Sequence, residues 1–96
     1  MLTDADITQR LAGLPGWSRT QVGKAVGITR SFKRRNFLDG LGLVTRVAVL
    51  AEMANHHPDV LLTWPAVTFT LTTHDAGGLT DKDFALAERI DSVATT

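Results

Sequence analysis

The sequence predicts an α+β fold: one domain in which a four-stranded antiparallel sheet carries about three helices on one face, in the order α-β-β-α-β-β-α. Three observations predict it. The stretch VTFTLTT, residues 67–73, alternates apolar and hydroxyl side chains with the period of two that marks a strand buried on one side. Residues 36–55 instead repeat apolar side chains every three to four positions, as a helix does. Strand-like pairs then alternate with single helices along 96 residues that contain no repeat, low-complexity segment or linker. That length suits one small core, and segregated strand pairs favour an antiparallel sheet.

The first helix starts at Thr3, a good N-cap with an acid, Asp6, three residues on; Ile7 and Leu11 share a face before GLPGW ends it. Residues 17–22 and 26–34 read as two strands joined by a turn near Gly23. Asn36 can cap the long helix, along which Phe37, Leu41, Val44, Ala48 and Ala51 form one apolar stripe. A second set, Leu43, Val47, Leu50 and Ala54, widens that surface. A helix apolar over so much of its circumference is expected to meet the sheet on one side and another subunit on the other. Residues 59–63 read as a short strand, WPA as a turn, and 67–73 as the strand whose Val67, Phe69 and Leu71 face the core. HDAGGL is a loop, and the closing helix places Phe84, Ala87 and Ile90 inward.

Composition narrows the function classes. With 44% apolar and 21% charged residues the chain is a globular domain rather than a disordered one. Ten basic and ten acidic residues cancel, so no global positive field draws it to nucleic acid or an anionic membrane. The absence of cysteine removes disulfides, thiol nucleophiles and thiolate metal sites, and fits a reducing compartment. No run approaches the roughly 20 apolar residues of a membrane span, and MLTDADITQR lacks a basic region followed by an apolar one. The expected setting is the cytoplasm.

The residues able to carry chemistry are few. His56 follows Glu52 by four positions at the end of the long helix, where the carboxylate and the helix dipole both favour the imidazolium. This describes a proton donor and, equally, a plain capping cation. His57 precedes Pro58, whose ring disfavours helical backbone before it, so the chain is expected to turn between the two histidines. His74 falls at a strand end on the threonine side, away from the core. Asp83 reads first as a helix cap, in the run Thr80-Asp81-Lys82-Asp83. A metal is disfavoured: no pair has H-x-x-x-H or H-x-H spacing, and adjacent histidines rarely chelate one zinc. The basic run TRSFKRRNF, with Arg30, Lys33, Arg34 and Arg35 between Phe32 and Phe37, reads as a solvated strand edge before it reads as a nucleic-acid surface.

Taken together, these residues resemble the pterin-4a-carbinolamine dehydratases. The family's signature begins with an acid, three positions and His-His-Pro, then an aromatic five or six positions on, a histidine after nine more, and an aspartate after eight or more. Here Glu52, His56-His57-Pro58, Trp64, His74 and Asp83 fill every fixed place. The long helix and LTTHDAGGLTDKDFALA are also similar, as is Trp17 in GW, so the resemblance spans essentially the whole chain as one dehydratase-like domain. One departure is Val60, where animal members usually carry an aromatic.

The resemblance implies a hydro-lyase with no metal or organic cofactor, acting on a 4a-hydroxytetrahydropterin in tetrahydropterin recycling. It implies that His56 and His74 supply acid and base while His57 orients the substrate. Glu52 would tune His56, and Asp83 would hold His74 or the pterin, with Pro58 and Trp64 as supporting residues. It also implies a homodimer or homotetramer. Two alternatives stay open: a non-enzymatic module that binds and stabilises protein dimers, as some relatives do, or a dehydratase serving another pterin route such as molybdopterin metabolism.

Overall fold

The computed structural model describes residues 1–95. In chain order the elements are α1 (Asp4–Ala12), β1 (Ser18–Val22), β2 (Ala25–Lys33), α2 (Phe37–Ala54), β3 (Asp59–Leu62), β4 (Ala66–Leu71) and α3 (Asp81–Ala94), with one 3₁₀ turn at His74–Ala76. The sheet order is β1-β2-β4-β3, with every neighbouring pair antiparallel. The expected α-β-β-α-β-β-α order and four-stranded antiparallel sheet are therefore present.

Alternation along β4 places Val67, Phe69 and Leu71 in the core at 0% exposure, while Thr68 and Thr70 stay half-buried on the other face. Across the strands Phe69 meets Arg30 in register, and Phe32 meets Val67. Trp17, Phe32 and Phe69 pack edge-to-face in sequence, at centroid separations of 6.5 and 5.9 Å. Ile28 and, from α3, Phe84, Leu86, Ala87 and Ile90 complete this layer. Trp17 itself lies just before β1 rather than inside it; its indole N–H donates to Asp91 at 2.8 Å and ties the GW turn to the end of α3.

The two apolar sets on α2 divide differently from a simple stripe. Gly40, Leu43, Val47 and Ala51 are the buried face. Phe37, Leu38, Leu41, Val49 and Met53 remain exposed in the single chain, so most of the stripe that began at Phe37 points away from the sheet. Gly40 lets the helix lie close against the sheet: a Cβ there would stand 2.8 Å from Leu62 Cδ1 and 3.2 Å from Val67 Cγ2.

The end of α2 also differs from expectation. The helix stops at Ala54 because Asn55 adopts left-handed backbone, φ 49° and ψ 42°. The N–H of Asn55 donates to Glu52 O, and the N–H of His56 to Ala51 O at 3.1 Å, which closes the helix as a Schellman turn. Asn is the side chain other than glycine that best tolerates this conformation. His56 is thus already outside the helix, and Pro58 stands one residue before β3 rather than at the helix boundary.

Candidate active site

Antiparallel pairing of β3 with β4 sets Asp59 opposite Thr70. The residues just before β3 and just after β4 therefore emerge at the same end of the sheet. His56 and His57 belong to the first segment and His74 to the second, so residues 17 or 18 positions apart line one cleft. Its volume is about 260 Å³, and its walls are Asn55, His56, His57, Thr72, Thr73, His74, Asp75 and Lys82. Helix α3 begins at the same place and contributes Lys82 to the wall.

Beneath the wall lies Asp83, at 0% exposure. Its Oδ2 accepts the Thr80 N–H at 2.9 Å and the Thr73 hydroxyl at 2.8 Å, and its Oδ1 meets His56 Nε2 at 2.6 Å. A carboxylate is acceptor-only, so three donors converge on it and the proton of this last bond belongs to the imidazole. His56 is itself only 11% exposed. With Nε2 turned to Asp83, Nδ1 is the nitrogen left for the cleft. One side chain thus caps α3 and orients a histidine, an arrangement in which the carboxylate fixes which ring nitrogen is protonated.

His57 is more open, at 56%, and its Nε2 meets Glu52 Oε2 at 2.5 Å. This reverses two expectations. Glu52 does not pair with His56: the left-handed turn at Asn55 swings the chain back, and His57 is the ring brought over the last turn of α2. Of the two partners expected for Asp83, His74 or the pterin, His74 is not the one it meets: the carboxylate holds His56. The side chain of His74 is exposed and makes no hydrogen bond with another described residue; it belongs to the 3₁₀ turn, not to the end of a strand. The bridge Thr73–Gly78 and Gly77, at φ 73°, close the loop that presents it.

Three of the four predicted supporting residues stand apart from the cleft. Trp64 is 71% exposed at the β3–β4 turn, beside a cis Trp64–Pro65 bond, at the far end of the hairpin. Four residues of β3 separate it from the cleft, on the order of 13 Å at 3.3 Å per residue. Pro58 and Glu52, together with Val60, instead border an apolar hollow of about 280 Å³ on the other side of His57. Conversely, Asn55, Thr72, Thr73 and Lys82 line the cleft without a predicted role, and Asp75, which the sequence offers only as a possible metal donor, lines it too. Only Asn55 left a readable signal, an Asn at a helix end; the threonines read as strand surface. No group of three or more His, Cys, Asp or Glu side chains among the described residues is arranged to hold a metal ion.

Chemically, the cleft offers imidazoles on two separate segments, one held by a buried carboxylate and one free, with a third beside them. That set can deliver a proton at one point of a small ring and remove one at another. Comparison with known proteins points the same way. A family model described as "Pterin 4 alpha carbinolamine dehydratase" matches residues 1–93. A Mycobacteroides abscessus protein, provisionally named a pterin-4-alpha-carbinolamine dehydratase, is 49% identical over 96% of this chain and 94% of its own length. A Roseiflexus relative with the same provisional name is 48% identical over 96% and 95%. Among solved structures, a transcriptional coactivator/pterin dehydratase from Brucella melitensis superposes with a TM-score of 0.88 at 32% identity, covering 97% of both chains. A pterin dehydratase-like protein identified as a RuBisCO assembly factor in the alpha-carboxysome shares the fold, with a TM-score of 0.67 at 19% identity over 82% of this chain and 89% of that one. Matched over nearly its whole length, the chain belongs to the pterin-4a-carbinolamine dehydratase family.

Proposed function

We propose that this protein dehydrates a 4a-hydroxytetrahydropterin to the quinonoid dihydropterin and water. The observation that carries the reading is the convergence of His56, His57 and His74 on one cleft, with Asp83 bound to His56 behind it. The reaction breaks the C4a–O bond and the N5–H bond. The N5 electron pair becomes the new C4a=N5 bond, and the hydroxyl leaves as water once protonated. An acid near O4a and a base near N5 are the whole requirement, each typically contributing about 10²- to 10⁴-fold. Imidazole serves either role near pH 7.

In this reading His56 and His74 are the acid–base pair, on opposite segments of the cleft. His56 acts through Nδ1, its Nε2 being engaged by Asp83. His57, steadied by Glu52, orients the pterin or the departing hydroxyl. The setting is tetrahydropterin recycling in the cytoplasm. The active form is a homo-oligomer, because Phe37, Leu38, Leu41, Val49 and Met53 of α2 and Val60 and Leu61 of β3 are large apolar side chains left uncovered by the single chain.

The decisive experiment follows the dehydration of freshly generated 4a-hydroxytetrahydropterin with and without the protein. A rate no faster than the spontaneous one would sink the reading and favour a binding module of the same fold. A monomeric mass at micromolar concentration would overturn the oligomer separately.

A further inference from the structure

The basic run that the dehydratase site does not use is organised in the structure. At the opposite end of the sheet from the histidines, Lys33, Arg34, Arg35, Asp39 and Arg46 surround a concavity of about 620 Å³. Lys33 ends β2, Arg34 and Arg35 lead into α2, and Arg46 lies on α2 itself. Four of the chain's ten basic residues line it but only one of its ten acidic residues. The cavity therefore carries three net positive charges, and the remainder of the chain three negative ones.

Part of this cluster is fixed. Arg34 donates to Ala94 O at 3.1 Å and to Asp39 Oδ1 at 3.4 Å, and the Arg35 N–H donates to Asp39 Oδ2 at 3.3 Å. Asp39 is spent on these two arginines, with Arg35 Nε a further 3.6 Å contact. Lys33 and Arg46 have no ion pair or hydrogen-bonded side chain among the described residues. The guanidinium of Arg46 lies over Gly42, where a Cβ would stand 3.6 Å from Nη1, in ordinary contact. The N-terminus of α2 adds its dipole to the same region.

We propose that this concavity binds an oligophosphate: two or more linked phosphoryl groups borne by a small molecule. Guanidinium forks match phosphate oxygens in pairs, and an ammonium supplies a point charge beside them. Several cations held around one hollow recognise linked charges better than a single phosphate. A nucleic-acid backbone fits less well, because its contact needs a continued track of positive charge and the rest of this chain is net negative.

The test is calorimetric titration of the full-length protein, in its purified assembly state, with inorganic tripolyphosphate, orthophosphate and a single-stranded oligonucleotide at low salt. One saturable tripolyphosphate site per chain is expected, tighter than orthophosphate and weakened by added salt. The exposed-site variants Lys33→Gln and Arg46→Gln, alone and together, are expected to weaken it about tenfold or more in combination, with unfolding temperatures unchanged. Absence of saturable binding, equal affinity in the double variant, or tighter binding of the oligonucleotide than of tripolyphosphate overturns the proposal. None of these outcomes depends on the dehydratase reading, since the residues lie outside that cleft.

Discussion

Replacing Asp83 by asparagine keeps the shape of the residue and changes which atoms accept. The amide oxygen can take over the role of Oδ2, which receives the Thr80 N–H at 2.9 Å and the Thr73 hydroxyl at 2.8 Å, so the α3 cap survives. The amide NH₂ then faces His56 Nε2, where a carboxylate oxygen stood at 2.6 Å. Two donors cannot share that line, so the imidazole must move its proton to Nδ1, the nitrogen that faces the cleft. That tautomer cannot accept a proton at Nδ1, and without the carboxylate the imidazolium that would donate one loses its stabilising partner, so the exchange harms either role of His56. General acid–base catalysis by a positioned side chain contributes about 10²- to 10⁴-fold, so Asp83→Asn is expected to lower kcat by about 10²-fold or more, at least about 2.7 kcal/mol at 1.36 kcal/mol per decade. Asp83→Ala separates the structural share. It removes the capping-box bond to the Thr80 N–H, worth about 1 kcal/mol, and the charge-assisted bond from the half-buried Thr73 hydroxyl, which keeps only Thr80 Oγ1 at 2.8 Å, worth about 1–3 kcal/mol. The sum, about 2–4 kcal/mol, should lower Tm by roughly 10–25 °C at fixed protein concentration in a domain of this size. Stopped-flow dehydration kinetics and thermal unfolding of the two variants check both parts. An Asp83→Asn protein that melts close to wild type and retains its kcat would refute the assigned role of His56.

Three further variants probe separate parts of the argument. His74→Ala should cut kcat about 10²-fold or more with little change in Tm, because its exposed ring makes no hydrogen bond with another described residue; a folded variant at wild-type rate removes it from the acid–base pair. Asn55→Ala should cost about 1 kcal/mol for left-handed backbone at φ 49°, roughly 4–8 °C in Tm, whereas Asn55→Gly should stay near wild type; equal melting of the two would show that the turn is not strained by a Cβ. The Asp39 carboxyl is held below the usual carboxylate range, first by the Arg35 N–H and further by Arg34, against a partial loss of hydration. Its stabilisation is complete above the unfolded value of about 4 and is lost as pH falls through the lower folded value. The Tm gap between wild type and Asp39→Asn should therefore be present at pH 7 and close in strong acid; a gap that widens on acidification contradicts the sign.

The fold was legible where one face is buried and the other is not. Val67, Phe69 and Leu71 could be read because a strand with a single core face writes its register as alternation. Thr3 with Asp6 was legible because a cap needs only residues three apart. On α2 the same logic fails: both sides are apolar, and nothing local says that Leu43 and Val47 rather than Phe37 and Leu41 meet the sheet. The pairing of Glu52 with His56 was the natural reading of four-residue spacing, but it assumed that the helix reached His56. A left-handed Asn55 is a one-residue event that ends the helix early and exchanges the partners of the two histidines. Asp83 was readable as a cap, since that is local; its bond to His56 spans 27 residues and follows only from the strand order.

That strand order explains why the site is built as it is. Three element boundaries meet at one end of the sheet: the C-terminus of α2, the loop after β4 and the N-terminus of α3. Each boundary leaves backbone polar groups that need partners. Asn55 closes the first with its own backbone turn, Gly77 the second, and Asp83 the third. The first two closures are independent of the histidine side chains, so His57 and His74 can be removed without undoing them. The third is different, because the carboxylate that completes α3 is also the one that sets the proton position on His56. On the proposed mechanism, catalysis and folding are separable at two of the three boundaries and coupled at Asp83, where only an isosteric change such as asparagine can tell them apart.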